Sequence, residues 1–199
     1  METDFKNCVI ILIMKYILLA GPTVFIVVTT ILGKLTPNYS QRKNYISELS
    51  LGKYGFIQKI NFIVNGLLIS GLCVFLLINS STLVTKLGWF LGIFTGIALF
   101  LSGIWDTDFG KPERTKAGKR HEFIYNLAIP CVGAAYFLVG WGYKNNLIIL
   151  ILSWAIAIVD FLLYKNSEKL GIEHGISQRV VVFSAVLWIE ILAILTLFR

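Results

Sequence analysis

The sequence predicts an all-α fold, a polytopic membrane protein built as a bundle of about six transmembrane helices. Three observations predict it. The chain has 199 residues, 56% hydrophobic and 15% charged, with a mean hydropathy of +0.76, and one aqueous core cannot hide that much apolar surface. The apolar residues gather in runs close to the roughly 20 residues that cross about 30 Å of hydrocarbon. The charged residues between the runs fall mostly into every second connection.

Taken in order, the runs are 8–32, 56–79, 87–105, 123–143, 147–164 and 180–198. The first is too long for the apolar part of a secretory signal, is interrupted by Lys15 and is followed by no small-residue cleavage pattern, so it is expected to be retained. The second carries Asn61 and Asn65, four apart and therefore on one face. On the third, Gly88, Gly92 and Gly96 recur every fourth residue, with Gly103 further on, and make a ridge against which another helix backbone can pack. Such a stripe points to the inside of a bundle, hence to a monomeric assembly. Pro130, with Gly133 beside it, predicts a kink in the fourth run. The fifth is short and holds Asp160 about one turn from its inner end, where it either bonds to other helices or joins Asn61 and Asn65 in the floor of a cavity. Cys8, Cys73 and Cys131 all fall in apolar runs without metal-ligand spacing and read as small buried hydrophobes. The linkers are too short for a separate soluble domain, so residues 1–199 are expected to form one membrane domain.

Counting basic residues predicts the orientation. Lys34, Arg42, Lys43, Lys53, Lys111, Arg114, Lys116, Lys119, Arg120, Lys165, Lys169 and Arg179 lie in the first, third and fifth connections, against Lys6, Lys86, Lys144 and Arg199 on the other side. The positive-inside rule places the three rich connections in the cytoplasm and both termini outside, in the plasma membrane. Trp89, Trp141 and Tyr143 then belong at the outer interface, and Trp105 and Tyr164 at the inner one. The net charge of +7 is accounted for by topology, so membrane lipids are the expected partners and nucleic acid is not.

Charges inside a span need partners. Lys15 and Glu190 lie at similar depths, roughly 10–12 Å from the same surface by helix rise, and are expected to pair and hold the first and sixth helices together.

The densest polar text stands at the opposite end. The first connection reads Asn44-Tyr45-Ile46-Ser47-Glu48-Leu49-Ser50, the third opens Trp105-Asp106-Thr107-Asp108-Phe109 and closes Gly118-Lys119-Arg120-His121-Glu122, and the fifth carries Glu173-His174-Gly175-Ile176-Ser177-Gln178-Arg179. The order of Ile46-Ser47-Glu48-Leu49 after the first helix, an aspartate-bearing turn after the third and Gly118-x-x-His121 before the fourth resembles the multi-pass membrane family designated domain of unknown function 998. The likeness covers most of the chain. It implies about six helices, favours Asp108 over Asp106 as the family's aspartate, and brings no activity with it.

The chemistry of this polar end supports several readings. The leading one is a site that binds a lipid headgroup or other membrane-embedded ligand, with Glu48, Arg120, Arg179 and Trp105 as binding residues; the two arginines can grip phosphate in forked geometry, and Tyr45, Trp105 and Phe109 offer interfacial anchoring. The alternative is a metal-dependent membrane hydrolase acting on a lipid. Asp106, Asp108, His121 and His174 are its candidate ligands for a divalent cation, zinc above all, and Asp108, His121 and Ser47 its catalytic groups. That arrangement is loosely similar to the ceramidase-like hydrolases, which use Ser, Asp and His around zinc; those enzymes supply a close pair of histidines on one helix, and this chain has none. A third reading has Glu48, Asp108, His121 and Arg179 clamping the loops over the helix ends. Phosphate-loop, His-Glu-x-x-His and Gly-x-Ser-x-Gly signatures are absent, as is an internal repeat.

Overall fold

Each backbone N–H and C=O in hydrocarbon must be bonded within its own segment, so the apolar runs become helices. In the computed structural model these are α1 (Glu2–Leu35), α2 (Gly55–Ile78), α3 (Leu83–Ile104), α4 (Lys116–Gly142), α5 (Leu147–Asn166) and α6 (His174–Leu197), with a 3-10 turn over Ile46–Leu51. The structure describes residues 2–108 and 113–197, with side chains over 15–108 and 113–196. Among the described residues there is no strand, and all six long helices are apolar enough to cross a membrane. The side chains of Lys6 and Cys8, together with Phe109, Lys111 and Arg199, lie outside the described residues.

Several helices start before their apolar runs. Thr115 caps α4, its hydroxyl accepting from the Gly118 N–H at 3.0 Å, and Asn146 does the same for α5 through the Ile149 N–H at 3.3 Å. Such caps allow a helix to begin with polar turns outside the hydrocarbon. α6 likewise takes in His174 through Arg179. Much of the polar text read as loop is therefore helix.

The glycines of α3 set the packing, but against two neighbours. A Cβ on Gly96 would lie 2.5 Å from the Gly66 carbonyl of α2, and one on Gly66 would lie 2.4 Å from the Phe100 nitrogen. Gly103 meets the Lys59 carbonyl of the same helix, whereas Gly88 faces α4, where a Cβ would come 2.6 Å from Val139. The stripe is thus consumed inside the bundle, between α2 and α4. Beside the stripe, Trp89 of α3, Tyr136 of α4 and Trp188 of α6 interlock, with ring centroids 5.0 Å apart for the Trp89 and Trp188 rings and 4.7 Å for the Tyr136 and Trp188 rings. Trp188 Nε1 donates to Ser153 of α5 at 2.9 Å. Trp89 is 0% exposed, so it is a core residue and not the interfacial anchor its position suggested. Cys73 is buried and Cys131 half-buried, both as free thiols.

Of the two readings of the polar residues inside the spans, interhelical bonding holds and a shared cavity floor does not, while the expected ion pair needs correction. Asn61 and Asn65 belong to the seam between α1 and α2: Asn61 Nδ2 donates to Thr29 Oγ1 at 3.1 Å, and Asn65 Nδ2 to Asn61 Oδ1 at 2.8 Å. Asp160 is elsewhere, bonded to Tyr136 and Ser184. Lys15 and Glu190 do not pair. Both Glu190 oxygens lie within 2.8 and 2.9 Å of Thr23 Oγ1, while Lys15 Nζ sits 5.6 Å from the centroid of the Phe75 ring. The reason is depth: Thr23 lies two helical turns beyond Lys15, about 12 Å of rise, so Glu190 meets α1 well below the lysine.

This arrangement makes a direct prediction about coupling. In double-mutant cycles read by thermal denaturation, Lys15→Ala and Glu190→Ala add within about 0.5 kcal/mol, whereas Thr23→Ala and Glu190→Ala show an interaction energy above that.

A candidate binding cleft at the polar end

The first, third and fifth connections converge at one end of the bundle and hold one another. Glu48 closes the first connection on itself, accepting from the Tyr45 N–H at 2.6 Å and from Asn44 Nδ2 at 2.8 Å. Arg179 of α6 is buried and donates through Nη1 to the carbonyls of Asn44 and Gly175, both at 2.9 Å. Its Nη2 donates to the Tyr39 hydroxyl, and its guanidinium lies over the Tyr39 ring. Burial pushes the Tyr39 hydroxyl above its ordinary pKa, with the Arg179 charge opposing the shift. Gly175 is required here, since a Cβ would stand 2.6 Å from the carbonyls of Arg42 and Asn44. The Ile46 N–H, at the start of the 3-10 turn, donates to Gln178 Oε1 at 2.6 Å. Outside this clamp, Arg42 and Glu173 form an ion pair at 2.7 Å.

The third connection explains the spacing from Asp108 through Gly118 to His121. Asp108 accepts from the Thr115 N–H at 2.6 Å and the Thr115 hydroxyl at 2.8 Å, placing a carboxylate at the positive end of α4. Gly118 leaves room for it, because a Cβ there would fall 1.9 Å from an Asp108 oxygen. One turn on, His121 Nδ1 lies 2.9 Å from the Trp105 carbonyl at the end of α3. Arg120 stacks over the Trp105 ring, Asp106 pairs with Lys59 of α2 at 2.7 Å, and Arg114 pairs with Glu122. In the fifth connection, His174 Nε2 approaches Glu168 at 3.6 Å, with its ring beside Tyr45.

Two adjoining spaces result. A polar vestibule of about 740 Å³ is lined by Ser47, Asp108, His121 and His174, among others. Below it, an apolar chamber of about 730 Å³ runs between α3, α4, α5 and α6. Both are bounded by Ser47, His121, Tyr125, Asn126, Tyr164, Lys165, Gln178 and Val181, which form the neck between them. Tyr164 donates to Asn126 Oδ1 across this neck at 3.4 Å. Pro130, one turn deeper, cannot donate the helical bond to the Asn126 carbonyl, so an acceptor is left over at the neck.

The sequence-predicted residues divide accordingly. Ser47, Asp108, His121 and His174 reach the vestibule; Asp106, Glu48, Trp105, Arg120 and Arg179 line neither space. The four assigned to ligand binding are engaged by neighbours instead: Glu48 and Arg179 inside the loop clamp, Arg120 and Trp105 with each other. The proposed metal set does not assemble. Among the described residues no three His, Cys, Asp or Glu side chains come together to hold an ion, because Asp106 is held by Lys59, Asp108 by Thr115 and His174 by Glu168. No hydrogen bond joins Ser47 to His121 among the described residues. Missed from the sequence were Tyr125, Asn126, Tyr164, Lys165 and Gln178 at the neck. A signal for the first two was present, since a Tyr-Asn pair one turn before an intramembrane proline marks a helix segment with unspent hydrogen-bonding groups.

Six apolar helices with a polar cleft at one end define an integral multi-pass membrane protein. The chain belongs to the family described as Protein of unknown function (DUF998), which matches residues 19–195, from the first helix into the last. No curated protein and no solved structure matches it.

Gly118→Ala is expected to push the Asp108 carboxylate off the end of α4 and lower stability by about 1–3 kcal/mol, as overpacking does. A thermal melt of the purified variant beside Asp108→Asn checks this, with the double variant losing less than the sum.

Proposed function

We propose that the protein binds an amphiphile taken from the bilayer, with the polar end in the vestibule and the apolar body in the chamber. One observation carries the reading: a polar space and an apolar space of similar size, 740 and 730 Å³, share a neck of eight residues. A small solute has no use for the apolar chamber, and a hydrocarbon has none for the vestibule. The site volumes lie within the range of small-molecule pockets. By the distribution of Lys and Arg, the vestibule faces the cytoplasm of a plasma membrane with both termini outside, and the ligand comes from the inner leaflet. A metal-dependent hydrolase is not carried forward, since its ligand set stands apart in space.

Gly133 provides the test. It lines the chamber, and a Cβ built there meets nothing within 4 Å, so a side chain leaves the backbone there without a clash and a large one takes up chamber volume. Wild type purified in mild detergent is expected to carry a lipid detectable by native mass spectrometry, and Gly133→Trp is expected to lose it while eluting and melting as a folded protein. Retention of the same bound lipid by Gly133→Trp would overturn the proposal.

A further inference from the structure

Among the described residues, Asp160 is the single acidic one on the wall of the apolar chamber. It is 7% exposed and lies one turn of α5 deeper than Tyr164 at the neck, about 6 Å of helix rise. Among the described residues its oxygens bond to hydroxyls only. Tyr136 of α4 donates to Oδ2 at 2.9 Å, and Ser184 of α6 lies 2.8 and 3.0 Å from the two oxygens. The two basic side chains on the same wall are turned to other partners: Lys165 Nζ sits over the Tyr164 ring, and His121 Nδ1 is bonded to the Trp105 carbonyl. A carboxylate held in an apolar chamber by neutral donors from two helices has positioning without charge compensation. Within a membrane that compensation is worth a great deal, which is why intramembrane acids ordinarily face a cation or a pathway.

We infer that the chamber selects an amphiphile bearing a cationic nitrogen, a long-chain or bulky hydrophobic amine, whose ammonium seats on Asp160. This rests on the amphiphile reading and names the chemistry that the site reads. The ammonium donates to the Asp160 oxygens on the chamber side, while Tyr136 and Ser184 hold the carboxylate in place from behind. With the nitrogen one turn below the neck, the chain fills the remainder of the apolar space, and any polar substituent on the nitrogen passes between Asn126 and Gln178 into the vestibule. A neutral alcohol of the same chain would fit the volume but leave the charge uncompensated. A fatty acid would set two carboxylates against each other.

The experiment uses the full chain in nanodiscs of zwitterionic lipid and three photoactivatable probes of one chain length: an amine, an alcohol and a carboxylic acid. Adducts are mapped by peptide mass spectrometry and normalised to those at Ile148, which is 77% exposed on the outer face of α5. The expected result is amine labelling of the chamber walls on α4 and α5 at least about tenfold above the alcohol, the equivalent of one modest charge interaction. Asp160→Asn, which keeps the size and the acceptor for Tyr136, is expected to bring the amine down to the alcohol's level. Equal chamber labelling by amine and alcohol in the wild type would overturn the inference while leaving the amphiphile reading intact. Chamber labelling by no probe in a folded protein would remove that reading, and this inference with it. If Asp160→Asn fails to fold, the wild-type comparison of amine and alcohol decides alone.

Discussion

Between membrane helices there is no water to expel, so adhesion depends on how closely two backbones approach, and in this bundle glycines make such close approaches. Gly66, Gly96 and Gly103 bring α2 and α3 into backbone contact, and Gly88 does the same for α3 and α4. At the far end of α4, Gly140 lets α5 close in, a Cβ there standing 2.9 Å from the Trp154 ring. The chamber begins where these contacts stop. Its walls on α4 run from Phe137 toward the polar end, and no glycine contact draws α5 inward along that stretch, Gly133 facing open space. The cavity is therefore a consequence of where the small residues are placed.

The polar groups follow a second rule, that each must find a partner inside the protein. They are sorted into separate seams and do not merge into one network. Thr29, Gln58, Asn61 and Asn65 serve the α1 and α2 seam; Thr23 and Glu190 join α1 to α6. Arg179, Tyr39 and Asn44 fasten the first connection over the start of α6. Because Glu48, Asp106, Asp108 and Arg179 are each held by a neighbour, the side chains around the vestibule are largely committed to holding its shape. That is the structural price of building a site from loops at the edge of a membrane.

Asp160 breaks this pattern. At the polar end acids meet a base, a helix terminus or a local cap: Asp106 has Lys59, Asp108 has the start of α4, Glu173 has Arg42 and Glu48 has the Tyr45 N–H; deeper in the bundle Glu190, like Asp160, meets a hydroxyl, that of Thr23, but it does not line the chamber. Asp160 has hydroxyls and an apolar space. The site thus joins a self-satisfied entrance to an interior with one uncompensated group, which is the arrangement expected of a selector placed beyond a filter.

The sequence by itself determined the number of helices, their approximate spans, the convergence of the polar connections at one end and the family, because hydropathy and local motifs are properties of contiguous residues. It also marked Asp160, Pro130 and the glycine stripe as positions needing explanation. Only the tertiary structure decided which seam each polar residue serves. Asn61 and Asp160 stand at comparable sequence depth yet face different helices, since depth along an axis says nothing of rotation about it, and rotation is set by the glycine contacts. Lys15 and Glu190 fail to pair because the end of an apolar run does not fix depth: α1 begins at Glu2, before its run, whereas α6 ends with its run. The binding residues expected from charge, Arg120 and Arg179, turned out to be fastenings, and the cleft is bounded by Tyr125, Asn126 and Gln178, whose side chains meet only when α4 and α6 are brought together around the same space.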